Sequence, residues 1–398
     1  MNRALLKDHQ TGEFRGEVDQ TRRGEKLAAC GGCELMSFCC AMSMVTVDPA
    51  RIRRAWQGRI SGCQLGKAVE ILSLMEGYDA LQAYLEKAQA LPLRDYIPHI
   101  EGTIVDFVGK ESCKENLTRS EPDDDIMYSV LALMMLEEHG AALDTVDVAR
   151  AWLRYLPAGN IFTAEREAYR VLVQHYDTNF LIGGEPDFAL AECSENEFNE
   201  WIGAQIRADV YGWVCPGRPE LAARLASRDA ALSHRGEGVY GAAFVAALGA
   251  AIPACSSLDE AVDTAKREVP ADSAVRLAID FARSLVGTSD GMLQIREHYP
   301  NMSSTHTVNN LAIVVLGLLD ASGDFSRAIG ETVVAGWDTD CNGATVGGLW
   351  GLTDHEIPGH WTDPWQGRVA VPLAGIGELA LDDLVERTCA VAAKIAAS

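Results

Sequence analysis

From residue 45 onward, hydrophobic positions recur mainly at the three- and four-residue intervals of an amphipathic helix. In residues 126–138 this spacing is followed by Gly140, a residue type that commonly ends a helix. Six further segments show the same pattern, at residues 145–155, 221–232, 238–250, 273–286, 308–319 and 381–396. Alternating β-branched runs, which would indicate strands, are almost absent. The chain is therefore predicted to be all-α, with a single compact domain of many helices.

Residues 1–43 differ from the rest of the chain. They are polar and charged as far as Lys26, without an apolar period, and then carry Cys30-Gly-Gly-Cys33. Two cysteines at this spacing can share one zinc ion, but no second ligand pair at zinc-finger spacing follows. We interpret residues 1–43 as a disordered N-terminal extension, or as the product of a mis-assigned start, and residues 44–398 as the folded domain.

The composition limits the classes of partner. Hydrophobic residues make up 48% and charged residues 23%, as in ordinary globular proteins. With 34 basic and 57 acidic residues the formal net charge is -23, and so negative a surface argues against binding to nucleic acid or to a membrane surface. No charge-free apolar stretch of about 20 residues is present, so no membrane span is expected. The 11 cysteines are scattered through a long chain, which favours a reducing, cytoplasmic compartment.

An acidic cluster, Asp123-Asp124-Asp125, stands directly before the predicted helix at residues 126–138. One carboxylate at this place would cap the helix and gain about 0.3–1 kcal/mol from the helix dipole. Three in succession repel one another, and they remain ionised together at low cost only beside a cation. Because Mg²⁺ and Ca²⁺ prefer oxygen ligands, the cluster predicts a site for a hard divalent cation.

A second acidic motif, Asp338-Thr339-Asp340, follows Gly336 and Trp337. Two sets of glycines recur at every fourth residue, so that each set shares one helix face: Gly58, Gly62 and Gly66, and Gly343, Gly347 and Gly351. Glu70 continues the first set at the same interval. Bare backbone on both faces would let two helices approach closely and bring the acidic motifs together. Five or six acids in one place predict a two-metal centre that orients hydroxyls and activates water.

These motifs, in this order over residues 54–355, resemble the ADP-ribosylglycohydrolase family, which includes the hydrolase that reactivates ADP-ribosylated dinitrogenase reductase. The glycine set that ends in Glu70 is similar to the N-terminal glycine-rich helix of that family. The other similar segments are Asp123-Asp124-Asp125-Ile126 (family Thr-Asp-Asp-Thr), Gly203-Ala204-Gln205-Ile206-Arg207 (middle Asn-Gly-x-x-Met-Arg motif), Ser233-His234 (Thr-His) and Gly336-Trp337-Asp338-Thr339-Asp340-Cys341 (Gly-Gly-Asp-Thr-Asp-Thr).

The resemblance implies an all-α hydrolase that cleaves an N-glycosidic ADP-ribosyl bond with two Mg²⁺, or Mn²⁺, as cofactors. The implied substrate partner is an ADP-ribosylated protein or an ADP-ribosyl small molecule. The implied metal ligands are Asp123, Asp124, Asp125, Asp338 and Asp340. Glu70 and Asp124 are the implied catalytic residues, one of them as the general base. Contacts to the substrate are expected from Gly203, Ala204, Arg207, His234 and Cys341.

The departures from the family pattern motivate alternatives. Asp123 and Cys341 replace two threonines that contribute ligands in the family, and Ile202 replaces the Asn of the middle motif. A soft thiol is a poor ligand for Mg²⁺, so these changes favour an altered metal affinity or a different aglycone. The alternatives are an ADP-ribose-binding relative without turnover and an N-ribosyl hydrolase that acts on a small metabolite. A Mg²⁺-dependent prenyl-diphosphate enzyme is a further alternative, because Asp clusters on helices also serve in that class.

The histidines outside these motifs have ordinary interpretations. His355 and His360 lie in a segment rich in Pro and Gly, and we expect them to be solvated or structural. His306 enters an apolar helix together with Asn309-Asn310, and this arrangement fits a site residue or a helix cap comparably well.

Overall fold

The computed structural model describes residues 45–175 and 177–397. The interpretation of residues 1–43, with its Cys30–Cys33 zinc alternative, lies outside the described residues and stays a prediction. The α-helices of the described residues are α1 (Pro49–Lys67), α2 (Glu70–Glu76), α3 (Tyr78–Lys87), α4 (Val105–Val108), α5 (Asp124–His139), α6 (Thr145–Tyr155), α7 (Thr163–His175), α8 (Thr178–Leu181), α9 (Asp209–Trp213), α10 (Pro219–Ala230), α11 (Gly236–Ala251), α12 (Leu258–Ala265), α13 (Ala274–Ser284), α14 (Gly291–His298), α15 (Thr307–Leu319), α16 (Phe325–Val334), α17 (Thr339–Gly351), α18 (Gly359–Thr362) and α19 (Leu381–Ala396).

Short 3₁₀ helices connect several of these elements, at Lys110–Ser112, Gly140–Ala142, Ala158–Asn160, Leu190–Ser194, Ile202–Arg207, Ile252–Ala254 and Lys266–Glu268. The prediction of an all-α fold is confirmed. Each of the seven segments that the apolar spacing predicted as helical lies in one helix, with bounds within two residues of the prediction. Local signals set these bounds, since Asp123 caps α5 at its start and Gly140, at φ 57°, follows its end.

The described residues also contain a two-stranded antiparallel hairpin, which the hydrophobic pattern did not predict because each strand has only four residues. The strands are β1 (Arg368–Val371) and β2 (Gly377–Ala380), and Arg368 is paired with Ala380. Ser120 extends this pairing, because its N–H donates to the Arg368 carbonyl at 2.8 Å and its own carbonyl accepts from Ala370 at 3.0 Å. The hairpin thereby fixes the loop that leads into Asp123.

The two glycine sets pack against each other along α1 and α17, as the sequence predicted. A Cβ built on Gly58 would overlap the carbonyl oxygen of Gly347, and one built on Gly62 would overlap that of Gly343. The same relation holds between Gly66 and Thr339, and between Gly351 and Arg54. We call these four backbone contacts the glycine ladder. Its antiparallel register places the last turn of α1 against the first turn of α17, where Asp338 and Asp340 lie.

Replacing Gly62 with Ala is expected to lower the free energy of unfolding by about 3 kcal/mol, because the new methyl group meets rigid backbone and the helices must separate. The gain in helix propensity of about 1 kcal/mol from Gly to Ala is smaller than this cost. Gly159→Ala is the control, since a Cβ there meets nothing within 4 Å. Urea unfolding of both variants checks the prediction, and equal midpoints would contradict it.

One apolar segment, Gly236–Ala254, is long and apolar enough to cross a membrane by length and composition. Glu237 lies in this segment, so it is not a charge-free apolar stretch. In the structure 72% of its apolar window is buried within the protein. Burial of this degree is what a core helix shows, and α11 accordingly packs against α9, α10 and α12. The expected absence of a membrane span stays a prediction.

Candidate metal centre and active site

Carboxylates from three distant parts of the chain meet at one end of the glycine ladder. Ligand atoms of Asp123, Asp124, Asp125 and Asp340 all lie within 4.8 Å of one another, and ligand atoms of Glu70, Asp338 and Asp340 meet the same limit. Asp340 belongs to both groups. The structure therefore brings together all six acids that the sequence analysis singled out.

The first turn of α5 determines how its three aspartates point. Asp123, in extended backbone geometry at φ -150°, accepts the N–H of Asp125 through Oδ1 at 2.9 Å and so caps the helix. Asp124 and Asp125 occupy the first turn, where the positive end of the helix dipole favours negative charge. Asp125 is fully buried and Asp124 only partly, so that Asp124 is the more accessible of the two carboxylates.

The turn before α17 has left-handed backbone at Gly336 (φ 77°) and at Trp337 (φ 60°). Such a φ is unusual for a tryptophan, and several contacts hold it. The Ser73 hydroxyl donates to the Trp337 carbonyl at 2.8 Å, and the Arg296 guanidinium lies 4.8 Å from the centroid of the Trp337 ring. The Arg296 guanidinium also lies 4.3 Å from the centroid of the Tyr78 ring. These contacts hold the turn that places Asp338 in the acidic cluster.

Asn310 supports the same turn from α15. Its Oδ1 accepts the Asn342 side-chain N–H at 2.7 Å and the Asp338 backbone N–H at 3.4 Å. His306 is the N-cap of α15 and accepts the Val308 N–H at 3.2 Å, which supports the helix-cap interpretation of this histidine. His355 and His360 are exposed, as expected for solvated or structural residues.

Two basic residues of α1 enter the centre. Arg59 is fully buried and donates to Asp125 Oδ1 at 3.2 Å, to Asp209 Oδ2 at 2.7 Å and to Ser129 Oγ at 2.7 Å. Lys67, in the last turn of α1, donates to Asp123 Oδ2 at 2.9 Å. These cations offset part of the negative charge but leave several carboxylate oxygens without partners.

Burial and mutual repulsion shift the pKa values of the centre. The pKa of Asp124 is raised well above its usual range by burial and then by Asp123, and that of Glu70 is raised by burial and then by Asp340. Burial raises the pKa of Asp125 and of Asp338 in the same way. For Asp340, burial and then the charge of Asp123 raise the pKa to about 6. Protons and divalent cations therefore compete for the same oxygens.

The donor set fits hard divalent cations. Asp125 Oδ2, Asp338 Oδ1 and Asp340 Oδ1 are buried and have no hydrogen-bond partner among residues 45–175 and 177–397. Buried carboxylate oxygens without a donor are costly, and a bound cation would satisfy them. The Cys341 sulfur lies within the same 4.8 Å limit of ligand atoms of Asp125 and Asp340, so one soft donor borders the set.

The raised pKa of Asp340 predicts an unusual pH dependence of stability in EDTA. Between about pH 4 and pH 6 the native state holds a proton on Asp340 that the unfolded state has released, so stability is lost as the pH rises. Asp340 alone would contribute about 3 kcal/mol to this loss. We expect the free energy of unfolding in EDTA to fall from pH 4 to pH 7.5, and saturating Mg²⁺ to restore it at pH 7.5. Urea unfolding at each pH measures this, and stability that rises with pH in EDTA would contradict it.

The predicted substrate contacts lie in a second buried network. Arg207 Nη1 donates to Glu165 Oε1 at 2.7 Å, and its Nε donates to Asp229 Oδ1 at 3.1 Å. The His234 ring nitrogen Nδ1 lies 2.8 Å from Ser233 Oγ. The charge of Glu165 acts on Asp124, so the two networks adjoin. Because Arg207 is occupied by these ion pairs, its contacts favour a positioning role, and its contact with substrate stays a prediction.

The remaining predicted residues line or border this region. Gly203 and Ala204 lie in the 3₁₀ helix Ile202–Arg207, where a Cβ on Gly203 would overlap the Glu165 carboxylate. Ile202 and Ala204 are buried, and so is Cys341. Burial raises the pKa of the Cys341 thiol well above its usual range, followed in effect by the charge of Asp125. Their substrate contacts likewise stay predictions.

Sequence reasoning missed two basic residues of the acidic centre, Arg59 and Lys67. It also missed the carboxylates that pair with Arg59 and Arg207, which are Asp209, Glu165 and Asp229. The pattern around α1 contained one usable signal. Arg59 directly follows Gly58 on a helix whose glycine spacing predicts burial, so a buried counter-charge could have been sought there. Glu165, Asp209 and Asp229 stand in segments without a distinguishing motif, and only the tertiary fold brings them together.

A family model and a solved structure are similar to this chain. The family model described as ADP-ribosylglycohydrolase matches residues 45–393. Among solved structures, the chain is similar to an ADP-ribosylglycohydrolase-related protein complex, with a TM-score of 0.46 and 18% identity, over 87% of this chain and 99% of that one. No curated protein matches the chain. Because the family match spans nearly the whole described domain, the chain belongs to the ADP-ribosylglycohydrolase family, whose members are glycosyl hydrolases that act on ADP-ribosyl N-glycosidic bonds.

Proposed function

We propose that this protein hydrolyses an N-glycosidic ADP-ribosyl bond in a reaction that depends on two divalent cations, Mg²⁺ or Mn²⁺. The observation that carries the proposal is the pair of adjoining acidic groups that share Asp340, with buried carboxylate oxygens that have no partner in the described part of the chain. Asp123, Asp124, Asp125 and Asp340 would hold one cation, and Glu70, Asp338 and Asp340 the other. Bound cations supply positive charge that draws ribose hydroxyls and water to the centre.

The residues of the chain then provide the acid–base chemistry. Glu70 and Asp124 are the two partly exposed carboxylates of the centre, so they are the ones that substrate and water can reach. Burial raises the pKa of both carboxylates above the usual range, which makes each a stronger base in its ionised form. One of them accepts a proton from water as the water oxygen bonds to the anomeric carbon and the C–N bond breaks. The proton lost by water is balanced by protonation of the leaving nitrogen. Positive charge that develops on the ribose is stabilised by the surrounding carboxylates.

Release of free ADP-ribose from an arginine-linked substrate, which carries an N-glycosidic bond, tests the proposal with Mg²⁺ or EDTA present. A serine-linked substrate, whose bond is O-glycosidic, is assayed beside it. We expect turnover with Mg²⁺ and none with EDTA. Glu70→Gln should lose activity, whereas Glu76→Gln, at the exposed end of the same helix, should retain it. Turnover that persists in EDTA, or no turnover on any ribosyl donor, would sink the proposal.

A second candidate function is binding of ADP-ribose without turnover. The observation that favours it is the buried, apolar Ile202 beside the predicted substrate residues, where the family has a polar Asn. Calorimetry that shows tight ADP-ribose binding by a protein without hydrolytic activity would support this candidate. Membership of the family leaves the prenyl-diphosphate alternative without support.

The physiological substrate and location are part of the proposal. The net charge of -23 supports a partner other than nucleic acid, either an ADP-ribosylated protein or an ADP-ribosyl or N-ribosyl small molecule. The described cysteines are free thiols, which supports a reducing compartment such as the cytoplasm. Parallel assays on ADP-ribosylated protein and on small N-ribosyl compounds separate the substrate classes.

A further inference from the structure

One contact in the acidic centre has no counterpart in the sequence prediction. Lys67 donates from Nζ to Asp123 Oδ2 at 2.9 Å, with 20% of the Lys67 side chain and 2% of the Asp123 side chain exposed. Lys67 directly follows Gly66, whose backbone is held against Thr339 in the glycine ladder. The Thr339 hydroxyl also donates to the Gly66 carbonyl at 2.8 Å. The base of the lysine side chain is therefore fixed relative to the centre.

Both carboxylate oxygens of Asp123 are occupied. Oδ1 accepts the Asp125 N–H at 2.9 Å as a helix cap, and Oδ2 accepts from Lys67. By contrast, Asp125, Asp338 and Asp340 each have one buried oxygen without a partner in the described residues. Asp123 thus differs from the other buried acids of the centre, although its ligand atom lies within 4.8 Å of those of Asp124, Asp125 and Asp340.

Charge points in the same direction. The Lys67 ammonium and the Asp123 carboxylate, 2.9 Å apart, form an ion pair that is neutral as a whole. A divalent cation therefore gains less from Asp123 than from Asp125, Asp338 and Asp340, whose buried oxygens have no partner in the described residues.

We propose that Lys67 is a built-in counter-cation that holds Asp123 as a helix cap and keeps it out of the coordination of the divalent cations. The inference rests on the proposed function and sharpens it, because it reduces the ligand set to Glu70, Asp124, Asp125, Asp338 and Asp340. Lys67 is a positioning residue and not a catalytic one. Its charge also makes the centre bind cations less tightly than its six carboxylates would without the lysine.

Mn²⁺ binding to the full-length protein at pH 7.5, measured by electron paramagnetic resonance or calorimetry, tests this inference without recourse to activity. Lys67→Met should bind Mn²⁺ at least about tenfold more tightly, because it removes a positive charge and frees Asp123. Lys67→Arg keeps the charge and should remain within about threefold of the wild type. The double variant Lys67→Met/Asp123→Asn replaces one neutral pair by another, keeps a good capping residue, and should also remain within about threefold.

The outcomes separate this inference from the function on which it rests. A double variant that binds Mn²⁺ more than about thirtyfold more weakly would show that Asp123 is a direct ligand and overturn the inference. Unchanged or weaker binding by Lys67→Met would overturn it too. Wild-type protein that binds no Mn²⁺ would instead overturn the proposed function, and the inference with it. Thermal unfolding in EDTA confirms that each variant is folded before binding is compared.

Discussion

Replacing Asp340 with Asn is expected to lower glycohydrolase activity by about a thousandfold or more and to abolish binding of at least one divalent cation. Asp340 is the residue shared by both acidic groups, so the change removes charge from two cation positions at once. Its Oδ1 is buried and has no hydrogen-bond partner in the described residues, as expected of an oxygen that a cation would bind. Release of ADP-ribose and Mn²⁺ binding are the two measurements.

The stability of the Asp340→Asn variant distinguishes lost function from lost fold. Because the pKa of Asp340 is raised to about 6 by burial and by Asp123, its ionised form destabilises the metal-free protein at neutral pH. The variant should therefore be more stable than wild type in EDTA at pH 7.5 while it is inactive. Asp259→Asn is the matched control, since Asp259 also lies in the first turn of a helix but 71% of its side chain is exposed. An Asp340→Asn enzyme with near-wild-type activity would refute the proposed centre.

Replacing Arg59 with Met is expected to lower the free energy of unfolding by about 4 kcal/mol. The guanidinium is paired with Asp125 and Asp209, and all three side chains are fully buried. Removing the cation leaves two buried carboxylates without compensation, which costs far more than the pair itself contributes. The loss should be smaller at pH 5 than at pH 8, because Asp209, whose pKa burial already raises to about 6, can then take up a proton.

Arg53→Met provides the control for this change on the same helix. Arg53 pairs with Asp382 at 2.6 Å, but 43% of the arginine side chain and 79% of the aspartate side chain are exposed. An exposed pair of this kind contributes at most about 1 kcal/mol. Urea unfolding of both variants at the two pH values decides the matter. Equal losses for Arg53→Met and Arg59→Met would contradict the structural role assigned to Arg59.

Those parts of the fold that follow from periodic sequence patterns could be predicted. Helical spacing predicted seven helices to within two residues, because apolar spacing and helix-end residues are local signals. These helices are α5, α6, α10, α11, α13, α15 and α19. The glycine spacing also predicted the approach of α1 to α17. The hairpin at Arg368–Val371 and Gly377–Ala380 was missed because four residues hold too little alternation to distinguish a strand from a turn.

The candidate site was predictable where its functional residues are adjacent in the sequence. The acids at positions 123–125 and 338–340 stand together in sequence, and Glu70 continues a visible spacing. The basic residues that offset these acids show no such sequence pattern. Arg59 and Lys67 are basic residues on a helix, which usually indicates a solvated face. Only their positions relative to the glycine ladder show that one is wholly buried and the other is turned inward. What could not be predicted is therefore which basic residues offset the negative charge of the buried carboxylates.

The glycine ladder also limits when the protein can fold during its synthesis. The Thr339 hydroxyl bonds to the Gly66 carbonyl across 273 residues of chain, and the contact between Arg54 and Gly351 spans still more. While the protein is being synthesised, α1 emerges early and has no partner for its glycine face until α17 has left the ribosome. The cation positions need Asp338 and Asp340 beside Glu70, Asp124 and Asp125, so they can form only after residues 338–340 have been synthesised. Contacts so distant in sequence form slowly, so we expect the ability to bind Mn²⁺ to appear as one of the last events of folding.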